Sequence, residues 1–275
     1  MMTTTSFWEE KGSLANAFWE NGIVADCPVY DMHGHMGPHN GIYFKRCEPA
    51  DVVAHLKRCG VKHLVFSHHH VLFGNMRNEK VVDICRTFPE HLRMYVGINP
   101  HFPDRIREDL AQFDTWRPWA VGLKFLCDYY RVPVTAPEFT YALDFANERG
   151  IPILNHTWGG SNYDGGPLML EVAQKYPNVK FFMGHSIYRD KEYARRVVTE
   201  TAGNVWLELT AIPGDYGYIE GMVKDVGSER ILFGTDMPWF DEFQGIGGVL
   251  SAEITDDDKR NILYRNVERL FGKDW

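Results

Sequence analysis

The sequence predicts a (β/α)8 barrel with an N-terminal helical extension. Three observations predict it. Stretches rich in β-forming residues alternate with helical stretches about eight times along the chain. The strand stretches are mostly continuous apolar runs, as befits parallel strands covered on both faces. Polar residues able to bind metal or move protons gather where those strands end, which in such a barrel is the catalytic face.

Taken in order, residues 7 to 23 carry Phe7, Trp8, Leu14, Phe18 and Trp19 at roughly helical spacing. They predict an amphipathic helix that covers a barrel end or reaches a second subunit, which leaves a homo-oligomer as one of two alternatives. Residues 1–27 are therefore read as the extension and 28–275 as one catalytic barrel. The first strand runs from Pro28 through Asp31-Met32-His33-Gly34-His35 into a Gly/Pro/Asn-rich loop, Gly37-Pro38-His39-Asn40-Gly41. A helix from Pro49 stops at Gly60, and Val61 begins the second strand. Further strands are expected at 92–99, 119–126, 151–156, 179–184, 204–210 and 230–236. Helices are expected at 78–88, 104–113, 138–149, 166–176, 190–201 and 216–226. A last helix over 255–271 is capped by Thr255 and the acidic residues after it, and ends at Gly272.

Composition narrows the function. A chain of 275 residues, 44% hydrophobic and 24% charged, can bury one sizeable core. A formal charge of −8 and a pI near 5.8, without a dense Lys/Arg run, exclude a nucleic-acid footprint. No apolar run approaches the ~18 residues of a membrane span, and the first residues lack a secretory pattern. Five scattered cysteines without Cys-x-x-Cys read as reduced thiols, so the cytoplasm is expected. Neither Gly-x-Ser-x-Gly nor a phosphate-binding Gly-Lys-Ser/Thr loop occurs.

What remains is chemistry at strand ends. In an extended strand His33 and His35 point to one side, where two imidazoles can share an ion. Alone, in a chain with 12 histidines, the pair reads equally well as two solvated loop residues. Strand 4 adds Lys124, strand 5 ends in His156, strand 6 in His185 and strand 8 in Asp236, and together these are hard to attribute to chance. His68-His69-His70 contains a second His-x-His. His68 and His70 are candidates for substrate contact, one of the run lining a pocket and the others lying in the loop. Arg131 could fork a carboxylate, His101 could touch substrate, and Trp158, Trp239 and Phe240 could form apolar walls. Solvation or packing would explain each of these as well.

Asp31-Met-His-Gly-His35, Gly122-Leu-Lys-Phe125, Asn155-His-Thr157, Gly184-His-Ser186, Gly234-Thr-Asp-Met-Pro238 and Asn266-Val-Glu-Arg-Leu-Phe271 together resemble the amidohydrolase superfamily. Within it, they resemble the amidohydrolase-related branch that includes aminocarboxymuconate-semialdehyde decarboxylase and several lactonases. The resemblance implies His33, His35, His156 and Asp236 as metal ligands, with His185 as a second-metal ligand or an acid/base. It implies a divalent ion, Zn(II) by the softness of the donor set. One ion is expected, with a two-ion site left open. Lys124 would be carbamylated and bridging in a two-ion site, or free and facing a substrate carboxylate; pairing with a buried acid such as Glu208 is a third option. The expected reaction is hydrolysis of a small lactone, amide or ester by metal-activated water, with Asp236 and His185 moving protons. The alternative is non-hydrolytic decarboxylation or hydration of an unsaturated acid. A barrel that keeps a purely structural metal is the third reading, and structural sites are rarely built at a barrel mouth.

Overall fold

The computed structural model describes residues 13–212 and 214–273. The apolar runs become eight parallel strands in sequence order: β1 (Val29–Met36), β2 (Val61–His68), β3 (Leu92–Gly97), β4 (Ala120–Phe125), β5 (Pro152–Trp158), β6 (Lys180–Tyr188), β7 (Val205–Glu208) and β8 (Ile231–Leu232). Helices follow the strands and cover the outer face, as parallel connection requires. Several start where proline fills the first turn, at Pro49, Pro103 and Pro137, whose missing N–H has no intrahelical partner to lose. Two of these three end on a left-handed glycine, Gly60 and Gly150.

Residues 230–236 were expected as one strand, yet β8 is only two residues long. After Leu232 the chain leaves β7 and turns its hydrogen bonds to β1. The N–H of Met32 donates to Phe233 O (3.0 Å), that of Asp236 to His33 O (2.6 Å) and that of His35 to Met237 O (2.6 Å). These bonds bring the two ends of the sheet together, and they place Asp236 beside the β1 histidines. The lower interior is filled by Tyr30, Met32, Val65, Tyr95, Leu154, Phe182 and Leu232, drawn from six strands. A larger apolar layer lies between strands and helices.

The last helix keeps its predicted cap, a reciprocal box between Thr255 and Asp258. It then widens into a π turn over Asn261–Arg265, where the carbonyl of Ile262 accepts from Phe233 N at 3.2 Å. The N-terminal helix covers Leu14–Asn21, capped by Ser13; Phe7 and Trp8 lie outside the described residues. Leu14 and Ala15 are buried, Phe18 packs against the core, and the Leu14 N–H donates to Asp256 at 3.0 Å. Trp19 does not pack on the barrel: it is 66% exposed, on the helix side turned away from it. Among the described residues no helix is long and apolar enough to cross a membrane, and all five cysteines are buried thiols.

Deleting residues 1–22 uncovers the seat of Leu14, Ala15 and Phe18. The expected cost is about 3 kcal/mol, from roughly 1.5–3 kcal/mol per large side chain, and a melting temperature lower by several degrees. An unchanged melting temperature and sedimentation profile would show that the helix contributes neither to the fold nor to association.

Candidate metal centre and active site

The geometry begins with a buried carboxylate that is not itself a ligand. Asp31 accepts from the N–H of His33 (2.8 Å), the N–H of Thr235 (3.3 Å) and the hydroxyl of Thr235 (2.5 Å), tying β1 to the segment after β8. Burial pushes its pKa up to about 7 against these hydrogen bonds. The ladder between β1 and β2 shifts register between Asp31 and Gly34, where the strand bulges at the ligand positions. Asp236 and His185 both adopt left-handed backbone conformations, with φ of 63° and 66°. Such strain in non-glycine residues persists only where the surroundings impose it, and it clusters at functional sites.

Each β1 histidine has its tautomer fixed from behind. Nδ1 of His33 lies 2.9 Å from Oε2 of Glu208, whose carboxylate already accepts from the N–H and hydroxyl of Thr210 and the N–H of His185. Nδ1 of His35 lies 3.2 Å from the carbonyl of Ser67, which can only accept. Both Nδ1 atoms therefore carry the proton, and both Nε2 atoms keep a lone pair. Those lone pairs face Oδ1 of Asp236, at 3.4 Å from His33 and 3.0 Å from His35. The three ligand atoms lie within 4.8 Å of one another, yet the buried Oδ1 makes no hydrogen bond. Three electron-rich atoms turned on each other repel unless a cation joins them, so the donor set fits a divalent metal. Burial holds both imidazoles well below their usual pKa, which keeps them in the neutral, ligating form.

Lys124 comes to the same place from β4. Its Nζ donates to Nε2 of His33 at 2.8 Å, and burial pushes its pKa down to about 8. Lysine and metal thus compete for one lone pair. The suggested pairing of Lys124 with Glu208 does not form as a direct contact; the two sit on opposite nitrogens of the His33 ring. Glu208, the buried end of β7, is held by burial at about 7 against the donors around it. None of the motifs read in the sequence includes it.

A cavity of about 170 Å3 opens above these groups. His33, His35, Lys124, His156, His185 and Asp236 all line it, so the strand-end residues singled out by sequence share one pocket. His156 stands apart from the convergent trio: its Nδ1 bonds Asp164 at 2.9 Å, and its ring centroid lies 4.9 Å from that of His185. Asp164, wholly buried, thus orients His156 as Glu208 orients His33. Nδ1 of His185 is buried without a hydrogen-bond partner, and burial keeps its ring neutral. Phe73, Tyr129, Trp158, Trp239 and Phe240 complete the walls.

Three expected substrate contacts lie elsewhere. The Arg131 guanidinium lies over the Tyr163 ring, 6.0 Å from its centroid, outside the cavity. His68 is buried against Gly37 and its Nδ1 accepts from His70 N, so neither of this pair lines the pocket. His69 does. The strand ends at His68 and the chain turns helical at His69, so one member of the run lines the pocket, as expected, but it is the middle one. His69 stacks on His35 at 4.8 Å, with Nδ1 bonded to Gly37 O and Nε2 accepting from the Trp239 indole. Both nitrogens are committed, so it is a wall and not a ligand.

The sequence profile of the amidohydrolase family matches residues 30–273. The chain belongs to the amidohydrolase family. Among solved structures this amidohydrolase is similar to 5-carboxyvanillate decarboxylase LigW from Sphingomonas paucimobilis, at 11% identity and a TM-score of 0.70 over 89% of this chain and 99% of that one. It is also similar to a dihydroxybenzoic acid decarboxylase from Polaromonas sp. JS666 with bound manganese and 2-nitroresorcinol, at 13% identity and a TM-score of 0.72 over 90% and 98%. A TIM-barrel protein from Bordetella bronchiseptica shares 15% identity, with a TM-score of 0.74 over 88% and 98%. At these identities the likeness is one of fold. No curated protein matches the sequence.

Alanine at His33, His35 or Asp236 is expected to remove the metal measured by plasma mass spectrometry, whereas His69→Ala keeps it. Glu208→Gln should weaken metal affinity by roughly 10–100-fold, the usual loss for a group behind a ligating histidine. Full metal content in Asp236→Ala would refute the assignment.

Proposed function

We propose that this amidohydrolase is a metal-dependent decarboxylase of small aromatic or otherwise conjugated carboxylic acids. The observation that carries the proposal is the character of the cavity: five aromatic side chains form its walls, and Lys124 is the one lysine or arginine that lines it among the described residues. Flat apolar walls suit a planar ring, and one buried cation suits one carboxylate. The decarboxylases of aromatic acids among the structural neighbours support the same reading. Hydrolysis would draw on the same polar residues, so the preference rests on the aromatic walls; Arg131, the other candidate partner for a carboxylate, lies outside the cavity.

A divalent ion held by His33, His35 and Asp236 would supply the positive charge that binds the substrate's oxygen atoms and stabilises charge developing on the ring. One ion suffices, and Mn(II), present in a neighbour, replaces Zn(II) as the first ion to test. Lys124 orients the carboxylate, and the aromatic walls fix the ring plane and exclude water. A proton must reach the ring carbon that bears the carboxylate as the carbon–carbon bond breaks. The products are carbon dioxide and the ring with hydrogen in its place. Asp236 and His185 both line the cavity and hand on to that carbon a proton taken from solvent.

With metal-loaded protein and a panel of benzoic and conjugated acids, carbon dioxide release is expected from at least one. His185→Asn should lower turnover about 10²-fold or more while leaving one equivalent of metal in place. Acid release from lactones or esters, with no carbon dioxide from any acid, would overturn the proposal. Lys124→Met removes the competitor for His33 Nε2, so it should retain the metal while losing affinity for acids. Loss of metal from that variant would mark the lysine as a ligand and restore the two-ion alternative.

A further inference from the structure

We propose that Phe240 determines which ring substituents the site accepts, admitting a small uncharged group into a side chamber behind it; this rests on the reading of the pocket as a site for a conjugated acid. Three cavities meet at the loop that follows Asp236. The reaction cavity of about 170 Å3 shares Ala211 and Phe240 with a chamber of about 140 Å3, and shares Trp239 and Phe240 with an outer cavity of about 630 Å3. Among the described residues Phe240 alone lines all three. The reaction cavity by itself is smaller than the roughly 300–1,000 Å3 usual for ligand pockets, whereas joined to the chamber it reaches the lower end of that range.

The two aromatic partitions differ in how firmly they are held. Trp239 donates its indole N–H to His69 at 3.3 Å and packs edge-on against His39 and Phe44, with centroids 4.9 and 5.1 Å away. Phe240 is 41% exposed and has no such ring contact among the described residues. Trp239 is a fixed wall, and Phe240 is free to swing between rotamers and open the passage.

The chamber's lining gives the class of substituent. Gly214, Gly234 and Gly245 expose backbone, and the Thr235 hydroxyl is committed to Asp31 and to the N–H of Met237. The Asp241 carboxylate caps Phe243 N at 2.9 Å and pairs with His55 at 3.0 Å. The Gln244 side chain makes no hydrogen bond among the described residues and is the polar group left to greet a ligand. A chamber with its charge engaged and one open amide suits a hydroxyl or methyl ether. Lys45, Arg46 and Arg58 line the outer cavity, along with the carboxylates of Asp51 and Asp241, so an acidic substituent meets cations there and none in the chamber.

Titration calorimetry of the metal-loaded protein with benzoate and with hydroxy- and methoxybenzoates tests this without requiring turnover. Phe240→Ala is expected to raise the affinity ratio of the bulkiest methoxybenzoate to benzoate at least tenfold, and Phe240→Trp to lower it. Gly214 lines the chamber alone of the three cavities and an added Cβ there meets open space, so Gly214→Leu in the Phe240→Ala protein should cancel the gain. Ratios within twofold of wild type in both Phe240 variants would overturn the proposal. So would a gain that survives Gly214→Leu, which would seat the substituent in the outer cavity. Benzoate failing to bind the wild-type protein would instead strike the decarboxylase reading itself, and this proposal with it.

Discussion

The convergence of three lone pairs, Nε2 of His33, Nε2 of His35 and Oδ1 of Asp236, is the constraint on which the rest of the site depends. Left to themselves these atoms would turn apart or recruit protons. They stay because each is held from behind by a group already buried and satisfied: Glu208 behind His33, the Ser67 carbonyl behind His35, and the hydrogen bonds of the β1–β8 seam behind Asp236. Several wholly buried polar groups of the fold serve this purpose. Asp31, Glu208 and Asp164 are wholly buried carboxylates, and each touches a candidate site residue through its backbone or ring. Buried acids are costly unless hydrogen-bonded, and each of these is.

Closure of the barrel and assembly of the site are one event. β8 pairs with β7 for only two residues, because the chain must cross to β1 to bring Asp236 onto its histidines. The same crossing gives Asp236 its left-handed backbone and sends the following loop, with Trp239 and Phe240, over the cavity. One stretch of chain therefore supplies a ligand, a fixed wall and a movable one. Lys124 adds a cation that shares the lone pair of His33, so binding of metal and the position of the lysine are coupled through a single nitrogen.

Much of this is legible in the sequence because barrel geometry turns strand ends into neighbours. His33, Lys124, His156, His185 and Asp236, spread over two hundred residues, need only the strand count to be placed in one pocket. The groups behind them are not legible in the same way. Glu208 ends a short strand without a motif, and Asp164 lies in a loop whose path only the folded chain defines. Local alternation also has limits. It places His33 and His35 together, but it fails at His68-His69-His70, where strand gives way to helix in the middle of the run. Arg131 is a carboxylate fork by chemistry alone, yet its left-handed backbone turns the chain and the side chain goes to Tyr163.

Pulsed electron paramagnetic resonance of the Mn(II)-loaded protein tests the central claim most directly, because nitrogen modulation reports imidazoles bound to the ion itself. The account predicts directly coordinated nitrogen, diminished when either His33 or His35 is replaced by glutamine. The spectrum of a hydrated ion without nitrogen modulation, or one indifferent to both replacements, would contradict it.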